Sequence, residues 1–452
     1  MRPLDKQPRT NITFTPLTGG INTSEAPHLI ANGDLVDCQN LLYEEATGKL
    51  TGRAGLALHS SFPSAIQALH YDIDTNTTFV FLANRSVYHL TDSDSPTLIG
   101  TLSGSHIPTC VKFQNRLYIA SGDRLQSYDY ASSLTAIDTA PPADLVFVRS
   151  GRLCIALIGS DRIQYSAIGD ATDWTSSATD ASGAGWLDIG YGDSGDISAI
   201  VPLANDLIIF KTNGRIYQLN ADSTPASWRV TELATSLNLR GNRCATHLKG
   251  NIVYLTDRGL VSLAATADYG NLSATDIGDK FASLLADTDS TARFYPLTQR
   301  GLLIISPHRT ATCLIAYHAA LSAATCLQFP FAIADICETS SHPLIAAGRN
   351  LYTWTPDAHT DNNTPIDYRL TLRHLQDLRP LHLSALYTDL IAITPATAHL
   401  TTSDTRHTLT ANLSTNARTY LRTNHTAHRI AITIQANKPF TINDITARIS
   451  PL

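Results

Sequence analysis

The tetrapeptide Gly192-Asp193-Ser194-Gly195 has the residue types that surround the nucleophile of trypsin-like serine proteases, so acyl transfer is the first chemistry to weigh. A serine hydroxyl attacks a carbonyl only when a histidine takes its proton and a buried aspartate orients that histidine. Here Asp196 follows Gly195 where such an enzyme has another glycine, and no Ala-Ala-His-Cys-like segment precedes the serine. Ser194 is therefore expected in a turn. Asp72-Ile-Asp74-Thr-Asn76 opens like a calcium loop, which needs glycine at its sixth position and a bidentate carboxylate at its twelfth. Those positions hold Thr77 and Ala83, so a polar hairpin turn is expected. The acidic runs Asp92-Ser-Asp94 and Asp287-Thr-Asp289 are read as loops. His425 and His428 have a spacing that serves a metal only on a helix, and their surroundings read as strand and turn. The region of Asp180 and Trp186 does not follow the order of a sialidase Asp box, and no paired carboxylates of a glycosidase can be placed. The sequence thus offers no catalytic, cofactor-binding or metal residues. The chain is read as not an enzyme, with no cofactor.

The elements that must position these turns show in composition and repeats. The chain has 452 residues, 43% of them hydrophobic, which is enough for a large core and argues against global disorder. A net charge of −6 gives no support to a basic nucleic-acid reader. Seven cysteines without a close CxxC pair, several inside apolar runs such as Leu153-Cys154-Ile155, are expected to be buried reduced thiols. No apolar run reaches the ~18 residues of a membrane helix. A soluble protein made in cytosol is expected.

One phrase recurs: an apolar strand, a short turn and a second strand. It reads Phe79-Val-Phe-Leu, Asn84-Arg, Ser86-Val-Tyr-His-Leu, and returns beginning at Leu117, Leu153, Leu207, Ile252, Leu302 and Leu344. Gly, Asn and Asp supply the turn geometry, and apolar residues supply the buried faces. The spacing of roughly 36–54 residues is that of four-stranded propeller blades. One hairpin cannot bury its apolar face alone, and a closed ring of them leaves few edges. The fold expected is all-β: an extended N-terminal arm over residues 1–57, a β-propeller of six or seven blades over 58–357, and a small C-terminal antiparallel β-sandwich over 358–452. Two packed sandwiches are the alternative to the propeller.

Further phrases resemble a family. Thr18-Gly-Gly-Ile-Asn22, the run to Asp37-Cys-Gln-Asn40, and Gly52-Arg53-Ala-Gly55 resemble the opening of tail proteins of short-tailed bacteriophages. Ser166-Ala-Ile-Gly-Asp-Ala-Thr-Asp-Trp174 resembles the family's Ser-x-x-Gly-Asp-Pro-x-x-Trp. Gly190-Tyr-Gly-Asp-Ser-Gly-Asp196-Ile resembles its Gly-Asp-Gly-Asp-x-Ile turn, with Ser194 where the family usually has glycine. Leu207-Ile-Ile-Phe-Lys211 with Arg215-Ile-Tyr217 resembles its strand pair. The matches run from about Gly19 to Leu263. The resemblance implies a tail nozzle, also called tail hub or packaged-DNA stabilisation protein. Such a protein forms a homo-oligomeric ring, a hexamer by resemblance, under the portal and its adaptor in the virion. It continues the DNA channel, passes double-stranded DNA without sequence preference, and anchors spikes, fibres or a needle, with no membrane anchor. A lectin-like propeller binding or scaffold module of bacterial origin is the alternative.

Overall fold

The computed structural model describes residues 9–91, 95–177, 180–203, 205–234, 238–265, 272–392, 396–402, 409–413 and 417–451. The chain is all-β, and its sheets follow the recurrent phrase. Five antiparallel four-stranded sheets run in chain order through residues 66–101, 109–136, 145–188, 197–234 and 245–276. A sixth four-stranded run spans Arg293–Leu297 to Ala323–Gln328. A seventh takes Asp335–Cys337, Leu344–Ala347 and Asn350–Thr355, then borrows its fourth strand, Gly55–Ser61, from near the N-terminus.

The second strand of each unit explains why the apolar runs are unbroken rather than alternating. Thr77–Leu82, Leu302–Ser306 and Leu344–Ala347 are buried at every position. A strand covered on both faces by neighbouring sheets has no solvent side to mark with polar residues. The cores lie between consecutive sheets: Cys154 and Ile163 of the third meet Leu207 and Ile209 of the fourth. The sixth and seventh meet through Ile304, Leu314, Ile345 and Tyr352. The last sheet returns to the first, with Leu344, Ala346 and Leu351 packed on Ile66, Val80 and Leu82. This is a propeller-like arrangement.

The segment expected as an extended arm is woven into the molecule. Thr10–Thr13 pairs with Phe440–Pro451, and Asp34–Gln39 pairs with Tyr368–Leu372. Phe14, Leu17, Ile21, Leu35, Cys38 and Leu41 share one core with Leu370, Leu383, Ile432 and Ile445. The reason is visible in the burial pattern, since these apolar residues are spaced for short strands and find partners supplied by the far end of the chain. The C-terminal residues form long strands, Leu375–Ala392 and Ala417–Ala436, paired antiparallel. The second half of Ala417–Ala436 also pairs with Tyr368–Leu372 and Ala396–Thr402 on either side. This strand thus has three partner strands within one extended sheet, and their apolar residues share a single core.

Candidate functional site

The residues singled out in the sequence gather at three buried junctions and leave one axial cavity. The first junction explains the Gly-Gly-Ile-Asn phrase. Asp34, 4% exposed, accepts from Asn22 Nδ2 at 2.7 Å and from Lys280 Nζ at 3.0 Å. A Cβ at Gly19 would fall on that carboxylate, and Gly20, at φ +70°, gives its N–H to the Tyr43 hydroxyl at 3.0 Å. Only glycine meets both demands at no cost.

The second junction is built on Arg53, 2% exposed. Its guanidinium meets Asp361 in a fork, Nη1 to Oδ1 at 2.9 Å and Nη2 to Oδ2 at 2.5 Å. Nε donates to Asn40 Oδ1 at 2.9 Å, Nη2 to Gln328 O at 2.8 Å and Nη1 to Ala54 O at 3.0 Å. All five donors are therefore used, and the Phe329 ring lies 4.4 Å from the guanidinium carbon. Asn40 also holds Asp367 O at 2.7 Å and the Gln328 N–H at 2.8 Å. Asn40 and Arg53 thus tie the N-terminal strands to the sixth sheet and to the segment that follows the seventh.

The third junction answers for the protease-like tetrapeptide. Asp193 accepts from Lys211 Nζ at 2.6 Å, the Tyr217 hydroxyl at 2.8 Å and the Gly195 N–H at 3.0 Å. Lys211 Nζ also donates to Ile189 O at 2.5 Å, and Asn213 Nδ2 to Asp193 O at 2.9 Å. Burial opposes ionisation of Asp193, but the Lys211, Gly195, Tyr217 and Asn213 hydrogen bonds outweigh it and bring the carboxyl down to about 2. Ser194 is exposed at φ 57°, a left-handed conformation that glycine adopts more cheaply. Two phrases some twenty residues apart, the Gly-Asp turn and the Lys-Tyr strand pair, meet here. In the Ser166–Trp174 phrase, Ser166 is fully buried with its carbonyl on Arg152 Nη1 at 2.7 Å, and Trp174 Nε1 donates to Ala171 O at 2.8 Å.

The imitation calcium loop has a cation of its own. Lys112 Nζ stands 3.2 Å from Asp72 and 3.0 Å from Asp74, while Asp72 also takes the Tyr130 hydroxyl at 2.5 Å. Asp289 closes a local turn on the N–H and hydroxyl of Thr291. Asp92 and Asp94 lie outside the described residues, as does the side chain of His425. His425 and His428 lie on one strand, Ala417–Ala436, and not on a helix. Among the described residues, no group of three or more His, Cys, Asp or Glu could hold a metal ion. All seven cysteines are free: Cys38, Cys154, Cys244 and Cys326 are buried, and Cys313 is exposed, against the expectation that all would be buried.

The sequence did not reveal the axial cavity. It measures about 570 Å³ and is lined by the first strands of the sheets, with Gln67, Thr109, Leu145, Ala199, Thr246 and Arg293 among its walls. Arg243 Nη2 reaches Ile107 O and Pro108 O, both at 2.9 Å, so a side chain ahead of the fifth sheet binds the entry to the second. Asp335 is half-buried and accepts the Leu69 N–H at 2.7 Å and the Ile336 N–H at 2.9 Å. Burial pushes its carboxyl up, against those N–H groups and the nearby Arg243 and Arg293. His106 Nδ1 lies 2.6 Å from Asp144 on another wall. No local motif marks these residues, because they come from different sheets.

No family model and no curated protein matches this chain. Among solved structures it is similar to a streptogramin B lyase, at 10% identity and TM-score 0.45, over 66% of this chain and 95% of that one. It is also similar to the Cps50 (Swd1) β-propeller domain of Myceliophteria thermophila, at 14% identity and TM-score 0.43, over 66% and 100%. The extracellular domain of the putative one-component system BT4673 from B. thetaiotaomicron is similar at 13% identity and TM-score 0.47, over 92% and 63%. Such likenesses concern general architecture. The arrangement of this chain rests on its own sheets.

Proposed function

We propose that this chain is the subunit of a ring in the tail of a short-tailed phage. In the virion, copies assembled below portal and adaptor continue the DNA channel, help retain the genome and carry spikes, fibres or needle. In this reading the seven four-stranded units are the blades of one propeller. The N-terminal strands and the long C-terminal strands make a β-sandwich fixed to it.

The observation that carries the proposal is the fate of the family phrases. Those containing Gly19, Arg53 and Asp193, apart in sequence, are each spent on a buried junction and none is left facing a substrate. Residues shared for architecture suit a load-bearing particle component better than an enzyme. Arg243 is anchored within the axial cavity, whose volume is that of a small-ligand site. A duplex therefore has to pass between copies, in a ring closed by head-to-tail contacts. Tyr191, 88% exposed, Leu378, 97% exposed, and Tyr420, 55% exposed, are large residues available for such contacts. Mass spectrometry of purified particles tests the assignment. The chain is expected among the virion proteins at about six copies per particle, as the family resemblance implies, and its absence from particles overturns the proposal. The axial cavity favours a second reading, a propeller binding module.

A further inference from the structure

We propose that the axial cavity is a binding site for a small oxyanion, a carboxylate or phosphate group, held by Arg243 and Arg293. This inference does not rest on the tail assignment. The two guanidiniums spend only part of their hydrogen-bonding capacity on the protein. Arg243 uses Nη2 alone, on the carbonyls of Ile107 and Pro108. Arg293 uses Nη1 alone, on Ala334 O at 3.0 Å and more weakly on Gln67 O at 3.4 Å. Carbonyls accept hydrogen bonds but do not cancel charge. The nearest carboxylate, Asp335, has one backbone N–H on each oxygen and forms no ion pair with either arginine among the described residues. Asp144, the other carboxylate of the cavity, is engaged by His106 at 2.6 Å and by the Ile158 N–H at 3.0 Å.

Two guanidiniums therefore line one cavity with their remaining N–H groups short of protein acceptors. Burial of Arg243 works against its charged form, the nearby Asp335 charge favours it, and Arg293 opposes it. A planar or tetrahedral oxyanion supplies what is missing, since its paired oxygens match the guanidinium fork and its charge offsets the pair. The volume of about 570 Å³ admits a metabolite-sized ligand and not a nucleic-acid duplex.

The test is a thermal-unfolding titration of the full-length protein at constant ionic strength, replacing chloride by inorganic phosphate in one series and by citrate in another. A saturable rise in Tm is expected in at least one series. Phosphate alone would assign a phosphate group, and citrate alone a carboxylate. Arg243→Gln is expected to abolish the rise, and Arg124→Gln, at an exposed pair with Asp138, to leave it unchanged. Asp335→Asn, which removes the repelling charge, is expected to tighten apparent affinity at least threefold. No saturable rise in either series, or an undiminished rise in Arg243→Gln, overturns the proposal. Should Arg243→Gln not fold, unchanged or weaker affinity in Asp335→Asn overturns it equally.

Discussion

Asp193 gathers an ammonium, a phenol and a backbone N–H, and the energetics of such a site are asymmetric. Removing one charge strands the other in a buried place, whereas removing both costs less. Lys211→Met is thus expected to lower stability by about 3–5 kcal/mol, and Lys211→Met with Asp193→Leu by clearly less. Urea denaturation at pH 7 checks this, and equal losses would contradict it. Stability should also fall with acid in two stages. His318 is buried, its Nε2 has no hydrogen-bond partner among the described residues, and burial brings its pKa down to about 4. The unfolded chain therefore binds the extra proton first, and stability declines as pH falls from about 6.5 to about 4. Below that, Asp193, held near 2, resists protonation that the unfolded chain accepts, so stability declines again between about 4 and 2. Unfolding free energies at pH 7, 5 and 3 measure both stages; burial likewise brings His70 down to about 4, so His318→Phe should reduce the upper stage without abolishing it. Ser194 stands exposed on a turn whose aspartate is committed to Lys211. No labelling of Ser194 by a fluorophosphonate is expected, and mass spectrometry of the treated protein reads the result directly.

At the scale of elements, the hairpins were legible because their signals are local. Asn76, Arg85 and Gly214 take positive φ at or beside the turns that the sequence marked. The apolar runs between them are the buried second strands. The strand Gly55–Ser61 was not legible as part of the last unit, because its partner, Asn350–Thr355, lies almost the whole ring away in sequence. Backbone pairing at a sheet edge leaves no side-chain code. The N-terminal segment was misread for the same reason: Phe14 and Leu35 look isolated until Ile445 and Leu372 arrive beside them. The long C-terminal strands were seen only as fragments, since 18 and 20 residues far exceed an ordinary strand. These pairings make two predictions. Limited proteolysis of the monomer should spare Thr10–Ser61 as well as it spares the sheets, and an early cut there would contradict the pairing. Arg53→Lys should cost about 3 kcal/mol or more, measured by denaturant unfolding, because an ammonium cannot reproduce the five-donor fork on Asp361, Asn40, Ala54 and Gln328.

The whole molecule joins its ring of sheets to a second β region, and the Arg53 junction is one of the ties between them. In the proposed tail role, the chain's −6 charge would suit a surface that DNA passes without adhering, because each phosphate contact from Lys or Arg adds affinity. The central claim is the proposed assembly, and electron microscopy of the purified full-length protein, alone and with the portal–adaptor complex the proposal assigns to it, tests it most directly. The account predicts closed rings, six copies by the family resemblance, with a duplex-wide channel between subunits whose DNA-facing loops are neutral to acidic. A monomer or dimer that never joins the portal complex, an open filament, or a channel lined mainly by Arg and Lys would contradict it.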